Sequence, residues 1–237
     1  GKNRPKTTDM EITVTKASDV PQSTVDSIEE TLRSAAGYLG HYDIHYFMYG
    51  SIYAGSESVA LAYCGLWQDS WDITSSLGCS RFTDSLIENL GSGNANAASP
   101  GFFETQDYWV NSEVWDDPPN TIEHYVENYE AENDPSSTRV VIHEYIHITQ
   151  FRPQLDAVED ANRLSTMPGW FVEGGAEFLA VIMNNEINPA SNLEEELASK
   201  LERLRENQYG VSSITERLEG FGFSQDDPYP DYALGVY

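Results

Sequence analysis

Val140-Val141-Ile142-His143-Glu144-Tyr145-Ile146-His147-Ile148 sets two histidines four residues apart in an apolar frame, with a glutamate directly after the first. Asp134-Pro135-Ser136-Ser137 is a helix-start signal upstream, and Pro153 stops or bends the helix downstream. Four residues of helix turn through about 400°, so the imidazoles of His143 and His147 lie about 40° apart, one turn above each other. Both rings can then grip a single metal ion. Glu144 can reach a metal-bound water without being a ligand itself. Imidazole nitrogen and carboxylate oxygen, with one position left for water, suit zinc. A lone histidine is ordinarily a core or capping residue. Here the flanking Val and Ile residues predict a buried helix, where two histidines and a glutamate are costly unless something pairs with them.

A tetrahedral site needs a further protein donor. The five histidines are His41, His45, His124, His143 and His147, so none follows the pair. This excludes the metzincin pattern, which takes a later histidine, and leaves an upstream histidine or a downstream carboxylate. Trp170-Phe171-Val172-Glu173-Gly174-Gly175-Ala176-Glu177-Phe178 offers two carboxylates one helical turn apart among apolar neighbours. A metal ion would partner a buried Glu173, while Glu177 could accept the outer N–H of a ligand histidine and fix its tautomer. The reverse assignment is the alternative, and a solvated glutamate pair is the plain structural one. Gly174, Gly175 and Ala176 are small enough to let this helix approach another backbone closely.

Taken together, His143-Glu144-Tyr145-x-His147-x-x-Gln150 and Trp170-x-x-Glu173-Gly174-x-Ala176-Glu177-Phe178 resemble the motifs of gluzincin metallopeptidases, with wording similar to bacterial collagenases and to peptidases related to aminopeptidase N. The resemblance runs from Val140 to Ala180. It implies a zincin-like catalytic domain that hydrolyses peptide bonds, with Zn2+ held by His143, His147 and Glu173 and with Glu144 as general base. It also implies a tyrosine late in the domain that stabilises the oxyanion. Tyr232-Ala233-Leu234-Gly235 is similar to the family's Tyr-x-x-Gly, which makes Tyr232 the candidate and Tyr229 and Tyr237 its rivals. The family continues with helices beyond that tyrosine whereas this sequence ends at Tyr237, so a domain truncated at its C-terminus is expected. No glycine-rich exopeptidase motif is present. The competing expectation is a catalytically inactive zinc-containing binding or adhesion module; Glu144 argues against it, because a structural zinc site needs no general base.

Working outward, Met10 to Lys16 alternates like a strand, and Pro21 to Leu39 carries Val25, Ile28, Leu32 and Ala36 on a helical stripe ended by Gly40. Tyr42 to Tyr49 is aromatic-rich and predicts a second strand. Ser56 to Trp71 is ambiguous between strand and helix. Gly91 to Gly101 reads as a loop and Phe102 to Trp115 as a strand or hairpin arm, stopped by Asp116-Asp117-Pro118-Pro119. Beyond that breaker the character is helical: the central motif, a helix from Pro168 to about Asn185, and an acidic amphipathic helix from Ser191 to Asn207 with Leu193, Leu197, Leu201 and Leu204 as its stripe. Gly220 to Pro230 reads as loop and Asp231 to Tyr237 as the beginning of a helix. The expected class is α+β. Residues 1–9 read as a tail or cleavage remnant, 10–133 as a strand-rich part and 134–237 as a helical part carrying the zinc site.

Composition limits the partners. Hydrophobic residues make up 40% of the chain, ample for a core. Thirteen Lys and Arg against 39 Asp and Glu leave a net charge of −26, which disfavours nucleic acid and anionic membrane surfaces. A peptide or protein substrate is the expected partner. No run reaches the ~18 apolar residues of a membrane helix, so no membrane insertion is expected. Cys64 and Cys79 lack a C-x-x-C spacing and are expected to pair as one loop staple. A secreted or extracytoplasmic setting is expected, although no leader is visible in this chain.

Overall fold

Ile12–Lys16 (β1) and Ile44–Tyr49 (β2) pair in parallel, Ile12 opposite Ile44 and Lys16 opposite Met48, in a computed structural model that describes residues 9–67, 95–98, 120–126, 135–151, 170–188 and 190–206. Strands running the same way need a crossover, and the helix Gln22–Leu39 (α1) supplies it. Val25, Ile28, Leu32, Ala35 and Ala36 form its buried stripe. The helix ends at Gly40, whose φ of 101° is open to glycine and whose N–H donates to the Ala36 carbonyl at 2.8 Å. Ala95–Ala98 (β3) and Asn120–Tyr125 (β4) complete a sheet of order β1-β2-β4-β3, with β4 parallel to β2 and β3 antiparallel to β4.

Tyr53–Trp67 (α2) lies on one face of this sheet, where Phe47 of β2 meets Tyr63 edge to face at 5.1 Å. Side chains alternate along a strand, so Ile44, Tyr46 and Met48 point the other way, yet they too are buried. A parallel sheet covered on both faces explains why β2 reads as a nearly unbroken apolar run. Pro135–Phe151 (α3) packs against α1 and lies beside β3 and β4. A π-helical turn, Trp170–Gly174, leads into Gly175–Ile187 (α4), which packs along α3, and Leu193–Glu206 (α5) packs on α4. Among the described residues, no helix is long and apolar enough to cross a membrane.

The mixture of helices with a small, mainly parallel sheet is compatible with the α+β class. Several local expectations change. The first half is less strand-dominated than expected, because α1 and α2 interleave its strands and the ambiguous segment around Ser56 is helical. The loop expected over Gly91 to Gly101 contains β3, whose alanines and asparagine have little β-propensity of their own. Pairing along β4 decides its conformation. Helical character does not begin at the Pro118-Pro119 breaker, since β4 follows it. That strand, Asn-Thr-Ile-Glu-His-Tyr, carries polar residues inward and so lacks the alternation that marks a half-buried strand. The helix expected from Pro168 starts, among the described residues, as a π turn. The strand expected over Phe102 to Trp115 and the segments from Gly220 to Tyr237 lie outside the described residues. Cys64 is buried and disulfide-bonded; Cys79 also lies outside them.

The inward polar residues of β4 are paired across the sheet. Glu123 accepts from the Tyr49 hydroxyl at 2.8 Å and also bonds Tyr63 of α2, while His124 bonds the Tyr46 hydroxyl at 2.9 Å on the opposite face. Burial pushes His124 down to about 4. Burial raises the Glu123 carboxyl, the two tyrosine hydroxyls offset only part of that, and it stands at about 8. An unfolded-chain glutamate releases its proton near 4.3. Between roughly pH 4.5 and 8 the folded state therefore holds a proton that the unfolded chain has lost, so stability falls as pH rises through that window. One such proton gives a slope of about 1.4 kcal/mol per pH unit. Glu123→Gln, which keeps the neutral shape, should flatten that decline when denaturant unfolding is compared at about pH 5 and about pH 8. Parallel pH profiles for the two proteins would show that Glu123 does not titrate as described.

Candidate metal centre

His143 and His147 lie one turn apart on α3, and both are buried. The π turn brings Glu173 to them. Its Oε2 stands 3.4 Å from His143 Nε2 and 3.3 Å from His147 Nε2, and the two ring nitrogens are 3.0 Å apart. Among the described residues this is the cluster whose donor atoms converge closely enough to hold a metal ion. Ligand atoms about 2.0–2.1 Å from a tetrahedral ion are separated from one another by about 3.3 Å, so the triangle has the edges such an ion requires. Of the upstream histidines, His124 bonds the Tyr46 hydroxyl on the sheet. Glu144 is buried beside His143, and its charge adds to the field on that ring.

The outer nitrogens identify which lone pairs face inward. His143 Nδ1 lies 3.1 Å from Glu177 Oε2. Burial would raise Glu177, but the hydrogen bond from His143 and the charges of Arg139 and Lys200 outweigh it and hold the carboxyl well below the usual range. An ionised carboxylate only accepts, so His143 Nδ1 donates. On the other ring, His147 Nδ1 lies 2.9 Å from Gln150 Oε1. The Gln150 Nε2 donates to the carbonyls of Val172 at 3.1 Å and Phe171 at 3.4 Å, which fixes the amide orientation and makes His147 Nδ1 a donor too. Both Nε2 atoms and the Glu173 carboxylate therefore aim at one point. Neutral rings so placed would repel each other and the carboxylate unless a proton or a metal ion joins them. The same field draws protons: burial would lower His143, but Glu173, Glu177 and Glu144 outweigh it and lift the ring to about 10. Burial would likewise raise Glu173, and the two imidazoles instead hold it well below the carboxylate range.

Of the residues expected from sequence, the structure thus brings His143, His147 and Glu173 together, sets Glu177 behind His143, and keeps Glu144 on the same buried helix. Tyr232, with its rivals Tyr229 and Tyr237, lies outside the described residues. Three residues acquire roles that sequence did not assign. Gln150 stood in the motif without a function, although its place three residues after His147 was a signal. Arg139 lies one turn before His143 on the same face. Lys200 reaches Glu177 from α5, and nothing local to it indicates that.

No family model, curated protein or solved structure matches the chain. The geometry makes its own predictions. Glu173→Ala should abolish metal retention, whereas Glu177→Ala, which leaves all three donor atoms, should lower affinity by about 10–100-fold. Equal metal content in the two proteins by elemental analysis would overturn the assignment of ligand and support. Gln150→Leu should weaken binding by a similar factor, because it frees the His147 ring and unties the π turn. Unchanged affinity in a chelator competition would remove Gln150 from the site.

Proposed function

We propose that the chain is a zinc-dependent peptidase of gluzincin type. The observation that carries this is the inward triangle of two imidazole nitrogens and one carboxylate oxygen, with a buried glutamate directly after the first ligand in sequence. Two nitrogens and one oxygen favour zinc over calcium or magnesium, which take oxygen ligands. The resemblance of both motifs to gluzincin peptidases supports peptide-bond hydrolysis as the reaction.

A zinc ion bound by His143, His147 and Glu173 would acidify a water molecule and polarise a carbonyl. Glu144 would act as general base, taking a proton from an attacking water as the water oxygen bonds to the carbonyl carbon. It then gives the proton to the amide nitrogen as the C–N bond breaks, so the products are a carboxylate and an amine. Glu177 and Gln150 accept from the outer N–H of the two rings, which turns both inner nitrogens toward Glu173. Tyr232 is the donor we assign to the oxyanion. For an extended substrate we favour β3, the last strand of the described sheet and a neighbour of α3. The disulfide at Cys64 supports an oxidising, extracytoplasmic setting.

Glu144→Gln should bind metal as the parent does and lose about 10²–10⁴-fold in kcat/KM on a fluorogenic peptide library. Parent-like turnover in that variant would end the proposed mechanism. A metal-loaded parent protein that cleaves nothing in a diverse library would instead favour the inactive binding module.

A further inference from the structure

Glu177 is met by more than His143. Arg139, one turn before His143 on α3, and Lys200 of α5 both make close ion pairs with its Oε1. The other end of the arrangement is Glu196, one turn before Lys200 on α5, whose Oε2 lies 3.8 Å from Arg139 Nε. Four charges of alternating sign thus join three helices, and their side chains are all largely buried. Glu196 is itself anchored, its Oε1 accepting from the Ser191 hydroxyl at 2.9 Å and from Asn184 Nδ2 at 3.5 Å. Asn184 of α4 accepts from Thr138 of α3 at 2.6 Å, which ties the network back to the helix that carries the histidines.

We propose that Arg139 and Lys200 are positioning residues for the metal centre, clamping Glu177 from two sides so that it holds His143 in the ligating orientation. This rests on the metal reading of His143, His147 and Glu173. A free glutamate side chain has three rotatable bonds, and two cations fixed on separate helices remove that freedom before any metal arrives. The chain has 13 Lys and Arg against 39 acidic residues, so solvated carboxylates greatly outnumber cations. Two of those cations nonetheless converge on one buried carboxylate. On this account α5, which by sequence is an acidic surface helix, is part of the metal centre through one residue.

The full chain is tested with zinc, by competition against a chromophoric chelator, and with Co2+ as a spectroscopic replacement. Lys200→Met keeps the length of the side chain without its charge and should weaken zinc binding roughly tenfold, the lower end of what outer partners of a ligand histidine contribute. Its Co2+ spectrum at saturation should shift, because the ligand ring is no longer held in one orientation. Lys200→Arg should restore both readouts. Arg139→Met should act in the same direction, and the double variant should lose less than the product of the single losses, since both cations act through one carboxylate. A purely structural role would lower the thermal stability of the metal-free protein and leave the saturated Co2+ spectrum untouched; that result overturns the proposal, as does parent-like affinity in Lys200→Met. Failure of the parent chain to bind zinc or Co2+ at all would instead overturn the metal centre on which it rests.

Discussion

Convergence of three electron-pair donors on one buried point is the constraint around which the described structure is organised. Two neutral rings with nitrogens 3.0 Å apart and a carboxylate oxygen within 3.4 Å of each would crowd lone pairs together, so a proton or a cation must lie among them. A chain relieved of this constraint would turn the rings outward or separate the helices. That it does not follows from the opposite edges of the same groups. Each outer nitrogen is engaged by an acceptor, and each acceptor is tied to another element, Glu177 to α5 and Gln150 to the carbonyls of the π turn. Donors held together around a shared positive charge are what a metal site would require.

The sheet enters through Tyr145. Residues 143 and 145 differ by about 200° around a helix, so Tyr145 points away from the face that carries the two histidines. Its hydroxyl donates to the Gly40 carbonyl at 2.5 Å and accepts from the Tyr42 N–H at 3.2 Å, locking α3 to the turn between α1 and β2. Gly40 takes its left-handed φ in that turn, so the conformation that ends α1 also presents the carbonyl that anchors the motif. Along the metal face, the fully buried Ala176 and Ala180 leave room for α3 and α4 to lie close. The helix of the motif is thus fixed on two sides by groups outside the His-His-Glu cluster.

How much of this was legible in sequence depended on distance along the chain. The pair His143 and His147 was plain because helix periodicity alone sets their relation. Glu173 was legible because an apolar frame around a carboxylate calls for a partner, whatever that partner turns out to be. The strands β1 and β2 and the helices α1, α3 and α5 were marked by their own periodicity or caps. By contrast, β4 hid behind Glu123 and His124, residues that are normally outside and are inside here only because Tyr49, Tyr63 and Tyr46 meet them from other elements. Likewise β3 has no signal of its own, and the convergence of Arg139 and Lys200 on Glu177 exists only after three helices have packed. Local patterns fix which residues share a face; which faces meet is decided by the fold.

The two glutamates illustrate the difference between spacing and use. Four residues apart, Glu173 and Glu177 would on a plain helix be equivalent neighbours on one face. Here they take opposite sides of one imidazole: Glu173 lies near Nε2, beside the point of convergence, and Glu177 binds Nδ1 behind it. The boundary between the π turn and α4 falls between them, and a π turn, with its wider bonding pattern, changes the rotation of the residues that precede it relative to those that follow. Gln150 donates to the carbonyls of Phe171 and Val172 within that turn, so one side chain both orients His147 and supports the irregular backbone that presents Glu173. The ring of His143 is then held between two carboxylates carried on one continuous segment. Any movement of that segment along α3 must disturb the ligand and its support together, which makes the positions of the donor atoms a property of how two helices pack, not of any single side chain.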